Sequence, residues 1–486
     1  MPVRMAASLM SSQGHWRELR QPQYLMKLGL VCLAVWLHAA DGLLVSTMIP
    51  AIVADIGGGN LIAWLFALYE MGSIAAGSVS AFYMLRYGLK PSVIVAALTF
   101  GVGCLVSAIA PAMWIMLFGR TLQGLGGGAL VALSFVAMTV LFPRHLMPRV
   151  MAAVSTFWGI SAFLGPLIGA AFASHGIWRG GFVFFAAQAI LLAVWVFVGL
   201  KEESIKQHSA HDSEDSPSSL TERIPLRRLG LLCLGVLAIA SAGIDVDWLK
   251  STALLLIGLV FFWLLLRLDE RAGDNRLFPP GAVNLRTPMG SVLVMILFLT
   301  MASIAITVYG TILLITLHKI SLLEAGYVVA LSSIGWSVAA VASSGVSERY
   351  DPLMIRLGTG LLLLTIIGLS LTIRDGPVWM ICIFTFTEGV AFGMAWTFIL
   401  RRATALAPAK EQQRLAAAIP TTQRLGYALG AAFLGLIANS IGFGSDLSVS
   451  TARIAARELF LSCIPLALFG YFAMWRFTSF GLRIKA

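Results

Sequence analysis

Charge is what this sequence has least of. Only 12% of its 486 residues are Asp, Glu, Lys or Arg, against 58% hydrophobic, whereas a soluble domain carries about 25% charged residues. That shortage excludes a water-solvated fold, and a mean hydropathy of +0.87 puts the chain in a bilayer. Cysteine is scarce as well. The five, Cys32, Cys104, Cys233, Cys382 and Cys463, all lie in apolar segments without a C-x-x-C pair, which argues against a disulfide framework or a zinc site and leaves them as small core residues. The alternating segments of about ten residues that a membrane barrel needs are missing. There is no short leader with a cleavage site, because the first apolar run is already long enough to span, so it is expected to be retained. No G-x-x-x-x-G-K-[ST] phosphate loop occurs, so neither ATP nor any other cofactor is the expected energy source.

What is there is a succession of apolar stretches of about 20 residues, the length a helix needs to cross the roughly 30 Å hydrocarbon core. Read in order, the chain divides into a polar N-terminal segment 1–26, six spans over 27–200, a linker 201–228, two spans over 229–267, a connection 268–288, six spans over 289–478, and a tail 479–486. The linker (KEESIKQHSAHDSEDSPSSLTER and its flank) is too polar to bury. The reading is an all-α polytopic membrane protein with 14 transmembrane helices. Charge placement sets its orientation, since cytoplasmic loops hold the excess of Lys and Arg. With the N-terminus inside, 26 of the 34 Lys and Arg fall in inward segments and six in outward ones, so both termini are expected in the cytoplasm. The net charge of +11 is scattered between spans, which is the pattern of orientation signals rather than of a nucleic-acid surface.

A few polar groups stand inside the spans, where each is expensive and therefore a functional candidate. Arg120 sits in the span 113–141, and the next span carries a stripe of Gly159, Gly165, Pro166 and Gly169. Small residues let helices approach closely, and Pro166 removes a backbone hydrogen bond, so this stripe should pack or kink against a neighbour. Asp41 lies about 14 residues into the first span, roughly 20 Å deep at 1.5 Å per residue. By the same arithmetic Glu70 and Glu388 lie near the midplane, and a carboxyl there can bind and release a proton. Glu388 belongs to the stretch FTFTEGVAFGMAW, where Phe384, Phe386 and Trp396 offer aromatic walls that, with the carboxylate, suit a lipophilic cation. His38, one turn before Asp41, is read as its hydrogen-bond partner or as a proton relay; Trp64 and Tyr69 are read as packing or interface aromatics. The run GLGGGA follows no strand, so it is no dinucleotide loop.

The halves repeat each other faintly. Aligning Arg86-Tyr87 with Arg349-Tyr350 sets Leu85 opposite Glu348 and Gly88 opposite Asp351. With these motifs the chain resembles the major facilitator superfamily, in its fourteen-helix drug:proton antiporter branch. DGLLVSTMIPAI from Asp41 is similar to the branch's Leu-Asp-x-Thr-Ile-Val-x-x-Ala-Leu-Pro pattern, with Pro50 on its proline. Arg120, Gln123 and Gly124 match the Arg-x-x-x-Gly motif of span four; Gly159, Gly165, Pro166 and Gly169 match the Gly-x(5)-Gly-Pro-x-x-Gly antiporter motif, followed by Trp178-Arg179. The loop motif between spans two and three keeps Arg86, Gly88 and Lys90 but has Leu85 for its acid and Ala81 for its first glycine, which weakens the expectation of charge-relay gating there.

The resemblance implies the major facilitator fold, two six-helix bundles plus two extra central helices. It implies a non-enzymatic, probe-able activity: proton-coupled export of small lipophilic or cationic compounds, that is multidrug efflux, by a monomer in a bacterial-type inner membrane. The partners are then a small-molecule substrate, protons and the bilayer. Asp41 ranks first as proton carrier and cation site, paired with Arg120, followed by Glu388 and Glu70; span two packs on the penultimate span in this family, so Glu70 is alternatively a gate tie to Arg424. Two other readings stay open: an exporter dedicated to one metabolite or siderophore, and a non-transporting sensor or scaffold.

Overall fold

A computed structural model of the chain describes residues 16–200 and 225–481. Most of the polar linker, the first part of the N-terminal segment and the end of the tail lie outside the described residues. Within them the protein is helical and contains no strand. After a single turn at Trp16–Leu19, the first half comprises α1 (Pro22–Ile56), α2 (Ile62–Tyr87), α3 (Leu89–Ala108), α4 (Met113–Leu141), α5 (Met147–Ser174) and α6 (Trp178–Gly199). The pair α7 (Leu226–Ser241) and α8 (Trp248–Glu270) follows. The second half comprises α9 (Pro288–Ser303), α10 (Ala305–His318), α11 (Leu322–Ser343), α12 (Asp351–Thr372), α13 (Val378–Leu406), α14 (Ala409–Ser440) and α15 (Val449–Ser479). Among the described residues, 11 helical stretches are long and apolar enough to cross a membrane, α9 and α10 counting as one.

Local chemistry explains the ends. Thr287 caps α9 through the Gly290 N–H at 3.1 Å, ahead of Pro288 at the first turn. Ser321 and Glu324 form a reciprocal capping box on α11, which satisfies two of the N–H groups a helix start leaves open. The first apolar stretch of the second half, 289–316, is not one continuous helix but is broken at Ile304. Just before the break the Thr300 hydroxyl donates to the Ile296 carbonyl at 2.7 Å and Ser303 donates to Thr300 at 3.1 Å, the kind of side-chain bonding that bends helices. The last helix begins at Val449, nearly three turns of mixed polar and small residues before the apolar run is reached near 459, since Ser448 caps it through Thr451.

Glycine sets the closest contacts. Along α4 successive residues face different neighbours: a methyl on Gly128 would lie 2.5 Å from Ser73 Cα on α2, and one on Gly127 would lie 2.9 Å from His38 Nδ1 on α1 and 3.1 Å from Tyr69 Oη on α2. Gly126 meets the Phe100 backbone on α3. Absent side chains thus let α4 sit among three helices at once.

The halves meet through α2 against α14, α5 against α11, and α1 against α10 and α11. The contacts gather at one end. Asn439 donates to the Asn60 carbonyl at 2.8 Å, Ser46 to the Thr307 carbonyl at 2.7 Å, and Phe163 lies 5.3 Å from Tyr327, ring to ring. A methyl on Gly326 would meet Thr47 Oγ1 at 2.9 Å and Pro166 at 3.0 Å, whereas further along the same α5–α11 seam the nearest atom to a methyl on Gly159 is Ser337 Oγ, at 4.0 Å. The seam is tight at the end bearing the loops 57–61 and 441–448 and loosens away from it.

The α7–α8 hairpin docks on α14 and α2, with Asn439 also bonded to the Gly243 carbonyl. Its foot is fixed by Asp269, which accepts from Arg228 at 2.6 Å and from the N–H groups of Leu277 at 2.7 Å and Phe278 at 2.9 Å. The other face of α8 exposes Leu249, Leu256, Leu259 and Val260, as a helix facing hydrocarbon should.

Candidate functional site

Arg120 has no exposed surface, and its partners come from α1, α2 and α4 itself. Its Nη1 donates to Asp41 Oδ2 on α1 at 2.5 Å, with both side chains at 0% exposure, and to Gln123 Oε1 one turn along α4. Nε donates to the Leu65 carbonyl of α2 at 3.3 Å, and the guanidinium lies over the Tyr69 ring, 4.3 Å from its centroid. Gln123 is itself held by α3, donating to Ser107 Oγ at 2.9 Å. A buried charge of this kind is tolerable only when paired and hydrogen-bonded. One atom on each side is left over: Asp41 Oδ1 and Arg120 Nη2 have no hydrogen-bond partner among the described residues.

A second pair joins the halves. Arg424, on α14, donates to Glu70 Oε2 on α2 at 3.2 Å, with side chains 22% and 19% exposed. Its other terminal nitrogen lies 3.1 Å from His38 Nε2. His38 Nδ1 is 2.8 Å from the Tyr69 hydroxyl, the same tyrosine whose ring lies under Arg120. His38 is therefore not the partner of Asp41 that its spacing suggests: Asp41 turns to α4, and the imidazole turns to α2 and α14. Tyr69 is buried at the junction of the two pairs rather than at a membrane interface. Nothing in its sequence position marks it, since an aromatic beside a glutamate has many uses. Gln123 and Ser107 were likewise legible only as a motif residue and as an ordinary helix serine.

Glu388 differs from the other two carboxylates. It is 2% exposed on α13, and its Oε2 has no partner among the described residues; neither has the hydroxyl of Thr385, one turn earlier. No cation pairs with it among the described residues. Tyr427 of α14 and Cys463 of α15 lie within its electrostatic reach. The aromatics expected beside it are distributed over several interfaces. Phe384 fills the notch at Gly368 on α12, Phe386 sets its carbonyl against Gly335 on α11, and Trp396 lies 5.6 Å from Trp336, which stacks on Phe392 at 5.6 Å.

The glycine and proline stripe of α5 splits between two neighbours. Gly165 and Gly169 face α1 at Ala40 and Leu44, Pro166 faces Gly326 of the other half, and Gly159 stands open. Trp178 and Arg179 both donate to Asp55 at the end of α1. In the loop after α2, Gly88 has φ 90° and joins α2 directly to α3. Arg86 there lies over the Tyr87 ring at 5.5 Å, and Leu85 is 62% exposed. In the second half the acid opposite Leu85 is Glu348, and the ion pair is made three residues on, at the position opposite Gly88: Asp351 accepts from Arg401 Nε at 3.2 Å and from its Nη2, and Arg401 also donates to the Val346 carbonyl at 3.2 Å. A loop-to-helix charge tie is thus present in the second half.

Eleven helical stretches long and apolar enough to cross a membrane, a buried ion pair within the first half and a second, partly buried pair joining the halves describe a multi-pass membrane protein with charges set inside it. The sequence model of the Major Facilitator Superfamily matches residues 31–249, 228–431 and 292–482, and the chain belongs to that family: it is a multi-pass transporter of small molecules, not an enzyme. A probable multidrug-efflux transporter of Mycobacterium tuberculosis (strain H37Rv) is 29% identical over 98% of both chains. Multidrug resistance protein 3 of Bacillus subtilis (strain 168) is 25% identical over 78% of this chain and 72% of its own. Among solved structures, a bacterial homologue of the human lysosomal transporter Spinster, inward-facing and unoccupied, superposes with TM-score 0.66 at 13% identity, covering 94% of this chain and 98% of that one. The nucleoside transporter NupG superposes with TM-score 0.65 at 11% identity, covering 93% and 99%. These two likenesses concern the fold.

Proposed function

We propose that the protein is a proton-coupled exporter of lipophilic cations, working as a monomer by alternating access in a bacterial-type inner membrane. In this reading α1–α6, the α7–α8 pair, the broken α9–α10 span and α11–α15 give fourteen crossings in a six, two, six order. An even number returns both termini to one side, and the Lys and Arg distribution makes that side cytoplasmic. The tight end of the seam is then the outer one, and the open end admits substrate from the cytoplasm.

The observation that carries the coupling is the contrast among three carboxylates set inside the spans, Asp41 and Glu388 buried and Glu70 partly buried. Asp41 and Glu70 each hold an arginine, while Glu388 has none among the described residues. A buried carboxylate without a countercharge is far more costly ionised than protonated. Glu388 is therefore assigned the proton in the state described, and it exchanges that proton for a cation when the cavity is occupied. The Trp336 and Trp396 rings, about two turns along, supply aromatic faces for such a ligand. Asp41 is assigned the second exchange: protonation of its carboxyl releases Arg120, which alters the packing of α1 on α4. The multidrug-efflux names of the relatives support the substrate class, and cation and proton then move in opposite directions through the same carboxylates.

The test is reconstitution in vesicles with an imposed pH gradient, following ethidium flux. Wild type should transport only while the gradient lasts, Glu388→Gln and Asp41→Asn should lose gradient dependence, and unrelated cations should compete. Gradient-driven flux at the wild-type rate in both variants would overturn the assignment, and absence of any flux in wild type would favour a sensor or scaffold.

A further inference from the structure

The roles above leave one side chain at the junction of the two ion pairs without a task. His38 is buried, and its ring bonds at both nitrogens: Nδ1 to the Tyr69 hydroxyl at 2.8 Å and Nε2 to Arg424 Nη2 at 3.1 Å. A guanidinium only donates. Nε2 must therefore present its lone pair to Arg424, and the single ring proton sits on Nδ1, donating to Tyr69. The Tyr69 hydroxyl still has its own proton, and the His38 backbone carbonyl accepts it at 3.3 Å. Every donor meets an acceptor, and the arrangement works for one protonation state, the neutral ring. The absent side chain of Gly127 provides the space, since a methyl there would lie 2.9 Å from Nδ1 and 3.1 Å from the tyrosine oxygen.

A second ring proton has only Nε2 to occupy. There it directs N–H against the N–H of Arg424, with a positive charge on each group. The surroundings offer little relief. From α4, Arg120 adds positive charge and its pairing already engages Asp41 of α1; from α2, Glu70 is engaged by Arg424 itself; from α5, Trp158 meets the imidazole edge-on at 6.2 Å and is uncharged. Arg424 is the group free to leave, because it is a long side chain with a second partner in Glu70.

We propose that His38 is a positioning residue for proton coupling, a latch that holds Arg424 of the second half against α1 while neutral and releases it when a proton binds Nε2. The balance is simple: one proton joins the Nε2 lone pair, the Arg424–His38 hydrogen bond breaks, and no other bond changes order. The consequence is mechanical. Arg424 stays with Glu70 on α2 but lets go of α1, so α1 and α14 are free to part at the end where the halves are now closed. The latch rests on the proposed proton coupling for the source of its proton, and on nothing else in that reading.

The test is a distance measurement on the full chain in nanodiscs, without substrate or gradient. Spin labels at Leu85 and Tyr350, both exposed and on the corresponding loops of the two halves, follow the open end; Cys233 and Cys382, the two half-buried thiols, are replaced by Ala. Lowering the pH from about 8 to about 4.5, past the range in which an ordinary imidazole changes charge because Arg424 and Arg120 both oppose the second ring proton, should shift the wild-type distance distribution toward the closed separation. His38→Gln should cut the shift about tenfold, as expected where one titrating group carries it, and Arg424→Gln should do the same if the His38 variant folds poorly. A wild-type distribution unmoved by pH, or a full shift in both variants, would overturn the latch. Flux separates the two ideas: a latch that shifts with pH in a protein showing no proton-driven flux removes the antiport reading alone, and proton-driven flux without a pH-dependent distance removes the latch alone.

Discussion

Removing Asp41 tests the energetics of the buried pair most sharply. Asp41 and Arg120 are both at 0% exposure and 2.5 Å apart, so truncating one leaves the other as an uncompensated charge out of water. That situation costs about 3–5 kcal/mol, whereas replacing both partners by apolar groups of similar volume is near neutral. Arg120 would keep Gln123, the Leu65 carbonyl and the Tyr69 ring, so Asp41→Ala should fall at the low end, about 3 kcal/mol. Arg120→Leu should cost as much or more, because Asp41 has no other cation among the described residues. The double variant Asp41→Ala, Arg120→Leu should recover most of the loss, giving a coupling energy of at least about 2 kcal/mol in a double-mutant cycle. Equilibrium unfolding by SDS in mixed micelles, followed by circular dichroism, measures all four proteins. Single variants within about 0.5 kcal/mol of wild type, or a double variant whose loss equals the sum of the singles, would refute the reasoning.

Other sites make separate demands. Glu388→Gln should leave stability within about 1 kcal/mol of wild type, since it removes no ion pair and keeps the shape, while abolishing gradient-driven flux; the same micelle titration and flux assay check this. Asp269→Ala should cost about 3–5 kcal/mol of hairpin anchorage, because it strips a partly buried Arg228 and two N–H groups of their acceptor, and should show as faster limited proteolysis in the 271–287 connection. Gly326→Val should overpack the seam at Thr47 and Pro166, by about 1–3 kcal/mol, and shift spin-label distances toward an outward-open separation. At the loops, Arg86→Ala should change stability by less than about 0.5 kcal/mol, and Asp351→Asn should reduce transport by loosening Arg401.

The membrane class, the helical architecture and the family were legible because hydropathy fixes spans directly and the Arg120 and Gly-Pro motifs have rigid spacing. The arginine's surroundings were half legible. A charge in an apolar span demands an opposite charge, and Asp41 was the motif acid available; Tyr69 and Ser107 were not, because which turn of α2 or α3 faces Arg120 depends on glycines that let α4 approach. His38 shows the limit of spacing arguments. One turn from Asp41 in sequence, it nevertheless faces a residue 386 positions away, since helix rotation is set by neighbours. The Asp351–Arg401 tie was hidden in the faint repeat: Asp351 follows the matched Arg-Tyr directly, at the position opposite Gly88, where the first half has no acid to suggest it. The break at Ile304 carries no proline, and only the bonded Thr300 and Ser303 hydroxyls account for it.

The central claim is exchange of a cation for a proton, and proton movement measures it directly. Purified protein in vesicles loaded with a pH-sensitive dye, with no gradient imposed, should respond to external tetraphenylphosphonium by alkalinising the lumen as cations enter and protons leave, and Glu388→Gln should not respond. A lumen that stays at constant pH while the cation accumulates, or that acidifies with it, would contradict antiport.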